Sequence, residues 1–520
     1  MKRFAILALI FTVADWFHVT AQAASPSPNA AANPPSIQRE FRGAWVATVK
    51  NIDWPSKPGL STDEQKAELI KILDRAVALN LNALIFQVRP AADALYASQL
   101  EPWSEYLSGE MGKAPNPFYD PLQFLIDEGH ARALEIHAWF NPFRARREFL
   151  STNSLPAAAN HLTKTHPELV RTNGADLWLD PGDPAVQLRA KAVIEDVLMR
   201  YDVDGVHIDD YFYPIAAKDS KGKEIDFPDE QTWKQYVASG GKLSRGDWRR
   251  QNIDRFVADL YRTIKRDKSW VKFGISPAGI WRPNFPPGTT GQDAYAQIFA
   301  DARKWMLQGW ADYFAPQIYW TNGTPGHSYS DLLAWWEKQN AKDRHVWPGS
   351  AAYHTTDATN WQPDEIVDQV GLARRQIGVT GEIQYSFSAL RNETNGLAEL
   401  LRHRVYGEPA LVPASPWLDR KTPGKPAITI HRGAEGQIVS VTWESTGPQK
   451  AWLWVLQTET GGIWKTEIVS EARRELLSPG WSSAPPPTRF AVTAVDRVGN
   501  TSAPSVVRLS MSDPPGPAAK

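Results

Sequence analysis

The sequence predicts an α/β chain, a (β/α)8 TIM barrel followed by a small all-β sandwich. Three observations carry this. Strand-like and helix-like segments alternate eight times between Phe41 and Ser388. Connections from helix to strand are short, whereas those from strand to helix are long. After about Pro409 the helical pattern gives way to short alternating segments divided by turn residues.

Taken in order, the predicted strands are Phe41–Val49, Ala83–Pro90, Glu135–Pro142, Gly205–Phe212, Lys272–Gly279, Tyr313–Trp320, His345–Ala352 and Glu382–Ser388. Helical patterns with recognisable ends lie between them. Thr62 followed by Gln65 reads as a capping box before Leu69, Ile70, Leu73 and Val77. Asp120-Pro121 and Asp183-Pro184 each set an N-cap before a proline suited to the first helical position. Gly129, Gly309 and Gly378 stand where helices should stop. Such alternation argues for a parallel sheet, and eight units argue for closure. The long segments Ala91–Tyr119, Phe143–Gly182 and Tyr213–Gly246 all fall at the strand ends where barrels build their active sites.

Pro413, Pro416, Pro423 and Pro426 mark a linker, and residues 37–410 and 425–511 are read as the two domains with 411–424 between them. In the second domain Ile428–His431, Ile438–Trp443, Ala451–Gln457, Phe490–Val495 and Ser505–Leu509 alternate as sandwich strands do. The segment from Phe490 to Asn500 resembles the closing hairpin of a fibronectin type III domain. Residues 512–520 read as a loose Pro-rich tail.

Composition narrows the function. A chain of 520 residues, 42% hydrophobic and 22% charged, is that of a globular protein of more than one domain. A net charge of −1 leaves no basic footprint for nucleic acid. The 23 Trp residues are an excess, and exposed indoles suit the flat C–H faces of sugars. Lys2 and Arg3, the apolar run Phe4–Val13 and Ala21-Gln22-Ala23 form a signal-peptide pattern, placing residues 1–24 as a signal and 25–36 as a flexible lead-in. That apolar run is too short to span a bilayer, and no other stretch is apolar enough. With no Cys there is neither disulfide nor thiol nucleophile nor lipid-modified terminus. The expectation is a soluble exported protein, periplasmic or secreted.

The stretch Asp204-Gly205-Val206-His207-Ile208-Asp209-Asp210-Tyr211 draws the candidate chemistry together. A buried strand ends in two adjacent carboxylates and opens into a long loop. Alternate strand residues share a face, so His207 and Asp209 are expected inside and Asp210 on the rim. Other strand ends offer Gln87 and Arg89, His137, Trp139 and Asn141, Gln317 and Tyr319, and Glu382 and Gln384. Arg89 is a fork for a carboxylate, whether Asp209, Asp93 or a substrate acid, or else part of a structural ion pair. Asn141 and Gln317 suit sugar hydroxyls or an acetamido group. Trp45, Trp139 and Trp320 could wall the cleft. His137 and His207 are either site residues or buried core histidines.

Arg42-Gly43-Ala44-Trp45, Phe86-Gln87-Val88-Arg89-Pro90, Ala138-Trp139-Phe140-Asn141-Pro142, Trp178-Leu179-Asp180-Pro181-Gly182, the stretch around Asp209, and Pro316-Gln317-Ile318-Tyr319-Trp320 recur in order. Together they resemble the bacterial glycosyl-hydrolase-like family 10, over roughly Ile37 to Pro348. The resemblance implies a barrel and glycoside hydrolysis, with bacterial cell-wall glycan, peptidoglycan strands, as substrate. A weaker likeness links Asp204–Tyr211 to the chitinase-type motif Asp-Gly-x-Asp-x-Asp-x-Glu. Asp209 falls on an acid of that motif, His207 replaces another, and Tyr211 stands where the proton-donating Glu would be, so its acid is not carried over.

Asp209 and Asp210 are therefore the catalytic candidates, one as acid or nucleophile and the other holding the sugar or its partner. Arg89, Asp93, His137, Trp139, Asn141, His207, Gln317, Tyr319 and Trp320 are candidates for substrate binding. Asp93, Asp180 and Glu382 are candidates for a second acid, unless a substrate acetamido carbonyl replaces it. No cofactor or metal is expected. Two other readings stay open: a metal-dependent deacetylase or amidohydrolase using His137, His207 and Asp209, and a glycan-binding protein without catalysis.

Overall fold

The computed structural model describes residues 33–148, 155–391, 396–434, 436–477 and 486–509. The signal-peptide pattern, most of the lead-in and the C-terminal tail lie outside them.

The first unit is a curled nine-stranded parallel sheet with helices between its strands. The strands are β1 Phe41–Val46, β2 Ala83–Arg89, β3 Glu135–Phe140, β4 Gly205–Ile208, β5 Lys272–Ile275, β6 Tyr313–Phe314, β7 His345–Val346, β8 Gly349–Ser350 and β9 Gly381–Gln384. Their lateral order is β7-β6-β5-β4-β3-β2-β1-β9-β8. The two ends of that order are the two pieces of the predicted strand His345–Ala352. Pro348, which has no N–H to give to a ladder, lies between them. β7 pairs with β6 and β8 with β9, so one short segment touches both ends of the curl.

Inside the curl, large rings face residues with no side chain. A Cβ on Gly205 would lie 2.4 Å from His137 Nδ1, and one on Gly274 would lie 1.8 Å from the Tyr313 ring. Both glycines clear the space those rings occupy. Phe41 and Trp347 stack at 3.7 Å lower in the same interior. Strand residues of the other parity, such as Leu84, Phe86, Ile136 and Val206, pack outward against the helices.

Local signals were mostly where the sequence put them. Asp120 and Asp183 accept hydrogen bonds from the first turns of the helices Pro121–Ala131 and Pro184–Arg200. Gly309 ends the helix Ala302–Gln308 in the left-handed conformation. The first capping box begins one residue earlier than predicted. Ser61 and Glu64 form it, because the Thr62 hydroxyl bonds Pro117 O and Gln65 is buried against Tyr119. Gly129 lies within its helix rather than after it, beneath Ile136.

The C-terminal region forms two antiparallel sheets. Strands Ala427–Arg432, Ile438–Glu444 and Glu475–Leu477 make one. Ile463–Ser470, Leu453–Thr460, Arg489–Val495 and Ser505–Arg508 make the other. Val441, Trp443, Trp454, Leu456, Phe490 and Val492 fill the space between them. Ile463–Ser470 and Glu475–Leu477 were not anticipated. The first is a half-exposed edge carrying Lys465 and Glu467, and such strands lack an apolar run. Arg497 clasps this unit to the first, bonding Asp204 at 2.8 Å and Asp202, over the Trp452 ring at 3.7 Å. Asp204 precedes β4, so the clasp sits at the opposite end of that strand from Asp209. Among the described residues no helix is long and apolar enough to cross a membrane.

Candidate active site

At the C-terminal ends of the strands lies a cavity of about 370 Å³. Trp45, Trp139, Tyr211, Tyr319, Tyr353 and Tyr385 line it, with Gln87, Ser276, Gln317 and Asp209 among the polar groups. Tyr319 and Tyr385 stack with ring centres 5.8 Å apart. Flat apolar walls with a few convergent polar groups are the usual build of a small-ligand site.

Asp209 is held from behind by a chain of amides whose direction can be deduced. The backbone N–H groups of Thr48 and Val49 each donate to Gln87 Oε1 at 2.9 Å. A backbone N–H can only donate, so the other end of Gln87 is its NH2. That group donates to Asn141 Oδ1 at 2.6 Å, which turns the Asn141 NH2 toward Asp209 Oδ2, also at 2.6 Å. Oδ2 is therefore an acceptor. Oδ1 is buried and has no partner among the described residues. Burial, opposed by Arg144 and reinforced by the Asp210 charge, pushes the Asp209 carboxyl up to about 7. Near neutral pH a proton is thus available on Oδ1, the oxygen the amide chain leaves free.

Asp210 is half-buried, and its Oδ1 accepts from Gln317 Nε2 at 3.0 Å. Burial raises this carboxyl as well. The two acids are adjacent in sequence but have different partners, one just after β3 and one just after β6.

A second chain of hydrogen bonds runs beneath the cavity. The Trp45 indole N–H donates to His207 Nε2 at 3.2 Å. His207 is then neutral with its proton on Nδ1, and burial next to His137 holds it well below its ordinary range. Nδ1 donates to Tyr313 Oη at 2.9 Å, leaving the Tyr313 hydroxyl to donate to His137 Nδ1, also at 2.9 Å. His137 Nε2 donates to Glu135 at 3.1 Å, and Glu135 pairs with Lys272. Every nitrogen of both histidines is committed within this chain, so neither offers a lone pair to a metal.

Of the sequence candidates, Asp209, Trp139, Gln317 and Tyr319 line the cavity, Asp210 sits beside it and Asn141 orients Asp209. The rest lie elsewhere. Arg89 is forked onto Glu101, with Nε to Oε2 at 2.7 Å, rather than onto Asp209, Asp93 or a ligand. The register shift between Gln87 and Arg89 turns it from the cavity, and its Nη1 holds Asn141 O at 2.5 Å. Asp93 is buried and accepts from the Ala91 N–H, and its carboxyl is pushed by burial to about 6. His137 and His207 belong to the chain below. Trp320 stacks on His327, away from the cavity wall. Asp180 is tied to Thr232 and the Gly182 N–H. Glu382 faces outward to the Tyr406 hydroxyl, because Ile383 and Tyr385 hold the inward parity of β9. Neither Asp180 nor Glu382 is available as an opposed acid.

Sequence reasoning passed over Lys50, Arg144, Arg147, Ser276, Tyr353 and Tyr385, all on the cavity wall. Arg144, Arg146 and Arg147 form a basic run just past β3, the one signal that was readable. It lies in the long segment Phe143–Gly182, where Arg144–Arg146 pairs with Asp176–Leu179 in a small antiparallel sheet.

Residues 40–366 match the family described as Glycosyl hydrolase-like 10. The chain is 42% identical over 402 residues to glycosyl hydrolase YngK of Bacillus subtilis, spanning 75% of this chain and 76% of that protein. It is 37% identical over 369 residues to glycosyl hydrolase DigH of Escherichia coli K12, spanning 66% of this chain and 81% of that one. Among solved structures it is similar to the catalytic domain of β-amylase from Paenibacillus polymyxa, at 11% identity over 72% of this chain and 99% of that one, with a TM-score of 0.46.

Proposed function

The chain belongs to the glycosyl hydrolase-like family 10, and from that premise we propose that it is an exported glycoside hydrolase acting on the glycan strands of the bacterial cell wall. One observation supports this reading above the others. A buried carboxyl with its protonatable oxygen unpartnered faces a cavity walled by aromatic rings. Aromatic faces suit sugar rings, and a carboxyl protonated near neutrality suits a glycosidic oxygen.

In this reading Asp209 Oδ1 gives its proton to the oxygen of the scissile bond as that bond breaks, and the leaving sugar departs as an alcohol. The anomeric carbon gains positive charge. Asp209 is the one carboxyl among the described residues lining the cavity and Asp210 stands beside it, held by Gln317 of the wall, so attack on that carbon is assigned to the acetamido carbonyl of the sugar itself. Asp210, fixed by Gln317, accepts the acetamido N–H and turns the carbonyl toward the carbon. Water then adds, giving its proton back to Asp209. Trp139 Nε1, buried without a partner among the described residues, is a donor for a sugar hydroxyl.

The curled sheet is read as a (β/α)8 barrel. The strand order of the C-terminal sheets supports a fibronectin III-like unit that spaces or docks the enzyme, since none of its described residues line the cavity. Export rests on the N-terminal pattern alone. The committed nitrogens of His137 and His207 weigh against the metal-dependent deacetylase.

The acid role sets the sign of a pH effect. The protonated form is active, and the carboxyl is raised to about 7. Turnover of a de-peptidated cell-wall glycan should therefore fall as pH rises through about 7. A rate independent of pH well into the alkaline range would contradict the assignment.

A further inference from the structure

Arg144 is a buried cation that feels the Asp209 and Asp210 charges but has no direct ion-pair partner among the described residues. It is 3% exposed and lines the cavity. Its Nε has no hydrogen-bond partner among the described residues, and Nη1 lies 3.4 Å from Pro90 O. No carboxylate among the described residues comes within ion-pair distance of it. The Tyr211 ring sits against the guanidinium at 4.3 Å, and the pairing of Arg144 with Trp178 fixes its backbone. The plane is held, and one backbone carbonyl is the hydrogen-bond acceptor it meets among the described residues. Lys50 and Arg147 also line the cavity, paired with Glu148 and, at 3.4 Å, with Asp176. Three cations thus share a wall with one carboxyl.

Folded proteins seldom bury an arginine unpaired, because the lost hydration has to be replaced. Arg144 lines a cavity with one donor unsatisfied among the described residues, so the replacement can come from a ligand. A guanidinium presents a planar fork of donors that matches a carboxylate better than it matches a hydroxyl. A purely neutral glycan would leave this charge as it stands.

We propose that Arg144, with Arg147 and Lys50 at the mouth, forms an anion subsite that takes a sugar bearing a free carboxylate. This deepens the glycosidase reading and rests on it for placing the anion next to the scissile bond. It separates substrates by charge. A glycan whose sugar acids are free is favoured over the same glycan with those acids converted to amides.

The test compares two forms of one de-peptidated cell-wall oligosaccharide, the free acid and its methylamide made by carbodiimide coupling. Binding is measured by calorimetry on the full chain carrying Asp209→Asn, so that nothing is consumed. The free acid is expected to bind on the order of 10- to 100-fold more tightly, the scale of a charge-assisted hydrogen bond. Adding Arg144→Gln should bring the ratio of the two affinities toward one, and Arg144→Lys should restore part of it. Arg147→Gln, at a more exposed position, should lower the ratio less. Equal binding of the two forms, weak binding of both, or an Arg144→Gln protein that keeps the ratio would overturn the proposal. The wild-type ratio needs no Arg144 variant to fold. If the free acid is preferred but the wild-type protein cleaves neither form, the subsite stands and the hydrolase reading falls.

Discussion

Asp209→Asn is expected to lower glycan turnover by on the order of 10² to 10⁴-fold while the protein stays folded. The amide fits the space and can still turn an oxygen toward the Asn141 NH2. What it lacks is the acidic proton on the oxygen that the amide chain leaves without a partner. Glycan affinity should change far less, since the aromatic wall is untouched. Asp210→Asn should lose a comparable factor by releasing the acetamido group. Stability provides an independent readout. The folded protein holds the Asp209 proton up to about pH 7, against a usual value of 3.8 for the free side chain. Wild-type stability therefore falls as pH rises between those values and levels off above the higher one. Asparagine does not ionise, so the variant should melt higher than wild type at alkaline pH, with the difference gone at the acid end of that window. A variant that unfolds at every pH would mean that Asp209 holds the fold together rather than serving the reaction.

Glu101→Gln should produce the largest loss of stability, about 3–5 kcal/mol, the usual result of stripping one partner from a buried pair. Arg89 and Glu101 are each 1% exposed and meet as a two-pronged fork. Removing the negative charge leaves Arg89 buried without compensation. The effect should also reach the site, since Arg89 Nη1 holds the Asn141 carbonyl and Asn141 aims Asp209. Turnover per folded molecule should then drop while affinity for the acidic glycan holds. Chemical denaturation measures the first effect. A loss within about 1 kcal/mol, the range of an exposed ion pair, would show that the Arg89 fork is not what anchors β2 to its loop.

Much of the fold could be read because strands and helices write different periods into the chain. All eight predicted strand positions carry strand residues, the seventh interrupted at Pro348. The inward parity of His207 and Asp209 was readable because Val206 and Ile208 are unmistakably apolar. In Glu382-Ile383-Gln384-Tyr385 polar and apolar residues also alternate, yet the polar ones face outward. Polarity misled there because the cavity end of the sheet is built from aromatic rings. Arg89 was misplaced by one irregularity in register, and its partner Glu101 comes from a loop with no period to read. The amide chain from Thr48 through Gln87 and Asn141 joins three separate segments, so no local pattern could reveal it. Arg144 was visible as a basic residue but not as an unpaired one, since pairing is settled only once the surrounding loops are in place.

The central claim is that water is added across a glycosidic bond at Asp209. Its most direct test is the mass of the products formed from a de-peptidated cell-wall oligosaccharide in water enriched in heavy oxygen. Shorter saccharides are expected, each cleavage leaving one heavy oxygen on the new reducing end, with that product lost in Asp209→Asn. Heavy oxygen released in acetate with the glycan chain intact, or an oligosaccharide bound but unchanged, would contradict it.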